Sequence, residues 1–364
     1  NGFPVPGRTD YPLLFDRAYQ AKPFVNELLD LANNKSLNKY TSSMNKSKYL
    51  FPSDFMADPS AHVFEDKIYI YPSHDRDSGT PQNDNGDHFD MQDYHVFSLE
   101  EIDGKVTDHG KVLAVEDIPW GSRQLWDSDV AFRDGKYYMY FSLKDKTDIF
   151  RIGVATSEAP YGPFVAEGDP IRGSYSIDPS AFQDTDGNYY LYFGGIWGGQ
   201  LQSYRDNKLH TAGTLPHFHE PALSPKVARL SDDMLQFDET PRDLLILDED
   251  GEPLKQGDID RRFFEASWMH KYQGKYYFSY STGDTHQIVY ATADNPYGPF
   301  TYQGVILTPV VGWTTHHSIV EYKGKWYLFH HDAEPSGGKT WLRSMKMVEL
   351  SYDEQGRIKT IEGQ

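Results

Sequence analysis

The feature that most constrains this chain is a repeated strand pair. Five segments read alike: DPSAHVFEDKIYIY from Asp58, DSDVAFRDGKYYMY from Asp127, DPSAFQDTDGNYYLY from Asp178, EASWMHKYQGKYYFSY from Glu265 and HHSIVEYKGKWYLF from His316. Each places a polar residue before a short half-apolar run, then a turn, then an aromatic run. Four of the turns (134–135, 186–187, 273–274 and 323–324) set Asp, Gln or Lys before Gly, which is tight-hairpin chemistry, and Glu65-Asp66-Lys67 is a weaker version. The polar residue stands 11 or 12 residues before a central tyrosine in every copy. Those tyrosines (Tyr69, Tyr138, Tyr190, Tyr277 and Tyr327) follow one another at steps of 69, 52, 87 and 50 residues. One such hairpin cannot bury its own faces, but copies packed around an axis can. The expectation is an all-β chain folded as a five-bladed β-propeller. SEAPYGPF (157–164) and ADNPYGPF (293–300) add a second repeat, read as the turn into an outer strand.

Spacing also locates what is not blade. Residues 1–50 precede the first copy and hold FVNELLDLANN (24–34), an amphipathic helix candidate, so they are assigned to an N-terminal extension packed on a propeller domain of residues 51–364. The 69-residue step contains a polar loop at 74–93 with six aspartates. It is read as a solvated acidic loop, because the Gly and Glu positions of a calcium-binding EF loop are missing. The 87-residue step contains an insertion at 203–262 with His210, His217 and His219, whose spacing shows no metal-site pattern. The final segment from Lys339 is expected to supply outer strands and close the ring.

Composition excludes several classes of function. With 54 Asp+Glu against 35 Lys+Arg the net charge is −19, which opposes a nucleic-acid partner. There is no cysteine, hence no disulfide scaffold, thiolate metal site or cysteine nucleophile. No apolar run reaches the roughly 18 residues of a membrane span. Aromatic residues make up 15% of the chain; they suit strands, and exposed ones stack on flat sugar rings.

In a propeller the innermost strands line the axis, so the residues that open the five copies converge there. They are Asp58, Asp127, Asp178, Glu265 and His316. Like charges in a confined, dehydrated funnel raise one another's pKa, which is how a carboxyl becomes a proton donor near neutral pH. One Asp-Pro-Ser could be simple turn chemistry; acids at matched register in four of five copies point to a site.

These segments together resemble glycoside hydrolase family 43, the inverting five-bladed β-propeller enzymes that act on xylan and arabinan side chains and oligomers. The resemblance covers roughly residues 50–350. ADPSAHVF (57–64) is similar to the family's first-blade motif, which implies that Asp58 is the general base. SIDPSAF (176–182) resembles the third-blade motif, whose Asp, here Asp178, tunes and orients the acid. FFEASWMHK (263–271) resembles the fourth-blade motif and implies that Glu265 is the general acid. Its Ala-Ser after the Glu, with PSHD (72–75) and THHSIVEYKGKWYLFHHD, is similar to a subgroup containing metal-activated β-xylosidases. LWDSDVAF (125–132) departs from the usual pattern and makes Asp127 an extra acid. His316 corresponds to the family's axial His and implies Ca2+ on the propeller axis; otherwise it is a satisfied core histidine. Arg343 in WLRSMKM resembles the fifth-blade Arg that contacts substrate hydroxyls.

Four further residues are substrate-binding candidates. Trp126 is either a sugar-stacking wall or core. Asp127 contacts sugar or hydrogen-bonds inside the funnel. Trp197, ahead of a glycine pair read as flexible, is read as a subsite platform. His74 either reaches the pocket or belongs to the surface loop. The resemblance implies an exo-acting β-1,4-xylosidase releasing xylose from xylo-oligosaccharides by inversion. The alternatives are an α-L-arabinofuranosidase or bifunctional enzyme acting on arabinose-substituted xylan fragments, and a non-catalytic carbohydrate-binding propeller. Oligomeric state is left open. A start without Met points weakly to a secreted or periplasmic protein, with the cytoplasm an alternative.

Overall fold

The structure is a computed structural model that describes residues 46–363. The chain divides into a unit at Asn1–Lys46 and a unit at Ser47–Gln364, and the following concerns the second. The extension at 1–45 and its helix candidate at 24–34 lie outside the described residues. Five sheets, antiparallel but for one edge strand, make up the unit, and the helices among the described residues are short 3-10 turns.

The chain enters through β1 (Lys48–Tyr49) and then builds blade one from β2 (Met56–Phe64), β3 (Lys67–His74), β4 (Asp93–Leu99) and β5 (Thr107–Ala114). Blade two is β7 (Ser128–Arg133), β8 (Lys136–Asp145), β9 (Phe150–Ser157) and β10 (Val165–Ala166), with β6 (Gly121–Arg123) pairing the far end of β8. Blade three is β11 (Ser180–Gln183), β12 (Tyr189–Phe193), β13 (Lys226–Arg229) and β14 (Arg242–Asp243). Blade four is β16 (Glu265–Tyr272), β17 (Lys275–Ser281), β18 (Ile288–Ala293) and β19 (Phe300–Leu307), joined at its outer edge by β15 (Ile246–Leu247) running parallel to β19. Blade five is β20 (His317–Tyr322), β21 (Lys325–Asp332) and β22 (Ser344–Leu350). The inner strands touch in a closed cycle: β2 meets β7, β7 meets β11, β11 meets β16, β16 meets β20, and β20 returns to β2. The five expected blades are therefore present.

Two details differ from expectation. The ring is not closed by the C-terminal segment alone. Its third strand, β22, is C-terminal, but the fourth is β1, paired through Lys48–Met347 and Tyr49–Lys346. Blade five is thus sewn from both ends of the unit. A two-residue strand carries no periodic signal, which is why the sequence does not reveal it. The insertion at 203–262 is also partly blade, because it contributes β13, β14 and β15.

Hairpin chemistry explains the repeated turns. Asp134-Gly135, Gln273-Gly274 and Lys323-Gly324 all have positive φ at both positions, the type I′ geometry that matches strand twist. Glu65 and Asp66 adopt the same geometry without a glycine, at φ 51° and 60°. The aromatic runs then become core: Tyr69, Tyr190, Tyr277 and Tyr327 are all buried between blades.

Candidate active site

All five blade-opening residues arrive at one end of the ring, at or just before the start of the inner strands. They line a single cleft of about 340 Å³. Asp58 and Asp178 sit in left-handed backbone, at φ 47° and 59°, and in blade four the equivalent kink falls on Ala266 at φ 64°. β2 is bulged between Ala57 and Ser60, and β16 between Glu265 and Trp268. A bulge re-aims the side chain at its edge, here turning a carboxyl from the sheet toward the axis.

Backbone amides freed by these kinks hold the site together. The Asp58 amide donates to His331 Nδ1 at 3.0 Å. His331 is therefore protonated on Nε2, which donates to the Thr314 carbonyl at 2.9 Å. The Ala266 amide donates to Asp178 Oδ2 at 2.6 Å, fixing the Asp178 carboxyl beside the neighbouring Glu265. The Asp178 amide in turn donates to Asp127 Oδ1 at 3.1 Å, an oxygen that also accepts from Ser142 Oγ at 3.1 Å.

Arg343 is buried. Its Nη1 donates to Asp58 Oδ1 at 2.8 Å. Nε and Nη2 grip Asp75 at 2.8 and 2.7 Å, and the planar fork makes that grip bidentate. The Arg343 backbone amide donates to Asp75 as well, at 2.8 Å. Asp75 is fully withdrawn from solvent, so it is not part of a solvated loop; it is the strut that aims Arg343 at Asp58. Farther along the same loop, Gln82, Asn83 and Met91 line the cleft.

The carboxyls are driven apart electrostatically. Burial alone would raise Asp58, but the Arg343 guanidinium outweighs it and the group is held down at about 2. Neutral His331, whose imidazole burial pushes down to about 3, adds no charge at pH 7. Glu265 goes the other way: burial first, then repulsion by Asp178 and Asp58, raises it well above the ordinary glutamate range. Burial also raises Asp127, with repulsion from Asp178 and Asp58 adding to it. Burial raises Asp178 too, with repulsion from Asp58, while His316 and the Asp127 contact pull it the other way.

The aromatic candidates divide between roles. Trp126 is 9% exposed, donates from Nε1 to the Phe89 carbonyl at 2.8 Å, and packs on Phe150 while lining the cleft. It is core and wall at once. Trp197 is 37% exposed at the rim and stacks on Trp313, with ring centroids 5.6 Å apart. The glycines after it are not there for flexibility. A Cβ on Gly199 would lie 2.8 Å from Ile177, and one on Gly198 would lie 3.1 Å from the Asn85 carbonyl, so they permit close packing. His74 is not among the cleft residues. It leaves β3 on the face opposite Asp75, where Asp93 and Asp54 hold its ring at 2.6 and 3.4 Å. In the insertion, His210 pairs with Asp206 at the surface, and His217 and His219 are exposed; among the described residues the three form no cluster.

His316 faces Asp127, Nε2 to Oδ2 at 3.8 Å, and offers a ligand atom within 4.8 Å of both Asp127 and Asp178. Both of its ring nitrogens are buried without a hydrogen-bond partner among the described residues. An imidazole is not left that way without cost. A cation held by His316 beside two crowded carboxyls fits this arrangement. His317 alternates away and bonds Ser279 Oγ at 2.6 Å.

With this geometry in hand, comparison with known proteins decides the family. The sequence profile of glycosyl hydrolases family 43 matches residues 51–358. The chain belongs to glycosyl hydrolases family 43. It is 68% identical over 319 residues to a xylosidase/arabinosidase of Bacteroides ovatus, covering 87% of this chain and 98% of that one. It is 63% identical over 320 residues to a beta-xylosidase of Xylanibacter ruminicola, covering 87% and 99%. Among solved structures it resembles a family 43 β-xylosidase/α-arabinofuranosidase from a compost metagenome, in complex with xylotriose and in a calcium-free form. That similarity has a TM-score of 0.86 and 60% identity, over 88% of this chain and 99% of the other. This family 43 chain is thus a glycoside hydrolase. Asp75, Thr314 and Trp313 are among the site residues that sequence reasoning did not single out. The PSHD motif contained Asp75, and its position directly after a strand was the available signal.

Proposed function

We propose that the chain is an inverting, exo-acting β-xylosidase that releases xylose from xylo-oligosaccharides. One observation carries the assignment: two buried carboxyls face one cleft, and the Arg343 guanidinium pairs directly with Asp58 but not with Glu265. Asp58, ionised under Arg343, deprotonates a water on one face of the sugar. Glu265, kept protonated by burial and by Asp178, donates to the leaving oxygen on the other. Inversion requires the two carboxyls to stand about 6.5–9.5 Å apart so that the water fits between them. Asp178 acts through Glu265, and Arg343 both orients Asp58 and points its guanidinium at the sugar hydroxyls. Trp126 and the Trp197–Trp313 stack are assigned to the sugar faces.

Calcium would be held by His316 with Asp127 and Asp178 around it; when bound it supplies positive charge that eases the crowding of the axial carboxyls. The calcium-free designation of the compost-metagenome structure supports a calcium-binding family member. α-L-Arabinofuranosidase activity at the same site is the second reading, favoured by relatives that carry both names.

Hydrolysis of 4-nitrophenyl β-D-xyloside and α-L-arabinofuranoside, with and without chelator, tests the assignment. Xyloside turnover is expected to exceed arabinofuranoside turnover, to fall in chelator and to return with Ca2+. Activity on neither substrate refutes both readings. Following the first-formed anomer by NMR should show α-xylose; β-xylose would remove the roles given to Asp58 and Glu265.

A further inference from the structure

Blade one carries a second cluster of ligand-bearing side chains, outside the cleft. His74 ends β3, Asp93 and His95 open β4, and each offers a ligand atom within 4.8 Å of the other two. The strands are in register at Ser73–Tyr94, so these three side chains share the sheet face opposite Asp75. The two imidazoles lie edge to face with centroids 5.0 Å apart. Each is also held by a further carboxylate: Asp54 stands 3.4 Å from His74 Nε2, and Asp108, on β5, stands 3.3 Å from His95 Nδ1. Lys111, the cross-strand neighbour of His95, reaches Glu116 at 3.5 Å.

We propose that His74, Asp93 and His95 form a binding site for a borderline divalent transition-metal ion, of the Zn2+, Ni2+ or Cu2+ class. Three arguments support it. The donor set of two imidazoles and a carboxylate suits these ions, whereas Ca2+ and Mg2+ prefer oxygen alone. Asp54 and Asp108 are placed to orient the imidazoles, as carboxylates behind metal-bound histidines commonly do. The three ligands are 20–25% exposed, so an ion can enter and water can complete its coordination. The site differs from the axial one in both depth and chemistry, since His316 is a single imidazole among buried carboxyls. A metal here ties β3 to β4 one residue before Asp75, the strut of Arg343.

The test is calorimetric titration of the chelator-stripped full chain with ZnCl2, run on wild type, His95→Gln, Asp93→Asn and His316→Gln. The expected result is one zinc equivalent that survives His316→Gln and weakens at least tenfold in both His95→Gln and Asp93→Asn, with far-UV circular dichroism unchanged. One equivalent of Cu2+ added to His316→Gln should give an EPR spectrum split by two imidazole nitrogens. If one blade variant fails to fold, the other variant and the EPR spectrum decide. Absence of zinc binding in wild type, its loss in His316→Gln, binding unchanged in the blade variants, or splitting by a single nitrogen would each overturn the assignment.

Discussion

Asp58 and Glu265 are both buried carboxyls, and what separates their behaviour is a single guanidinium. Arg343 bonds Asp58 directly and touches Glu265 only through the field. The pH profile of kcat/KM follows from this. Activity needs Asp58 ionised, so its acid limb lies toward pH 2; activity needs Glu265 protonated, so its alkaline limb lies well above the ordinary glutamate value. Asp178→Asn removes a negative neighbour, makes the Glu265 proton easier to lose, and should move the alkaline limb down by roughly one pH unit. An alkaline limb that stays in place would show that burial alone tunes the acid. Arg343→Gln acts on the other limb. It leaves Asp58 and Asp75 buried and uncompensated, so the acid limb should move up, with about 3–5 kcal/mol lost by denaturant unfolding. Asp58 also links stability to pH in a definite direction. Its folded pKa is depressed from 3.8 to about 2, so its contribution, roughly 2 kcal/mol, is present above pH 4 and lost as pH falls toward 2. The blade-opening residues were legible because their register repeats. Asp75 was not, because it stands in a run of loop aspartates that composition treats alike and only the position of Arg343 distinguishes.

Elements were legible where turn chemistry and aromatic runs coincided, and hidden where pairing alone made a strand. Four of the five hairpins declare themselves through DG, QG and KG turns, yet β1, β14 and β15 are two-residue strands recruited by a neighbouring edge. The weakest hairpin signal, Glu65-Asp66-Lys67, nevertheless forms the same I′ turn, forcing Asp66 to φ 60°. A non-glycine residue in that region costs about 1 kcal/mol, partly offset by the chain entropy a glycine would add. Asp66→Gly should therefore stabilise the protein by about 0.5 kcal/mol and raise Tm by about 1–2 °C in a calorimetric scan. The Asp66 carbonyl that accepts from Tyr322 Oη survives the change. A drop in Tm would mean that the aspartate side chain contributes more to the turn than its backbone strain costs.

At the scale of the whole molecule, the ring turns five distant segments into neighbours and concentrates four carboxyls at one end of its axis. That arrangement sits within a chain already at −19, with 54 acids to 35 bases. Many acids are paired at the surface, as Glu100 with Lys67 at 2.8 Å and Glu349 with Lys325 at 2.7 Å. Exposed pairs of this kind contribute about 0–1 kcal/mol each, and salt weakens them. Salt weakens the repulsion among the excess acids as well, and the two effects oppose one another. The excess charge acts over many partners at distances near the Debye length, about 10 Å at 0.1 M, where screening is most effective, while paired atoms near 3 Å are screened least. Repulsion should therefore dominate the response. Raising NaCl from about 20 to 500 mM at pH 7 is expected to increase Tm by a few degrees. Near pH 5.1, the sequence isoelectric point, the excess charge vanishes and the same titration should leave Tm flat or lower it slightly. Differential scanning calorimetry at the two pH values checks both halves. A Tm that falls with salt at pH 7 would assign the electrostatics of this molecule to its surface ion pairs instead of its net charge.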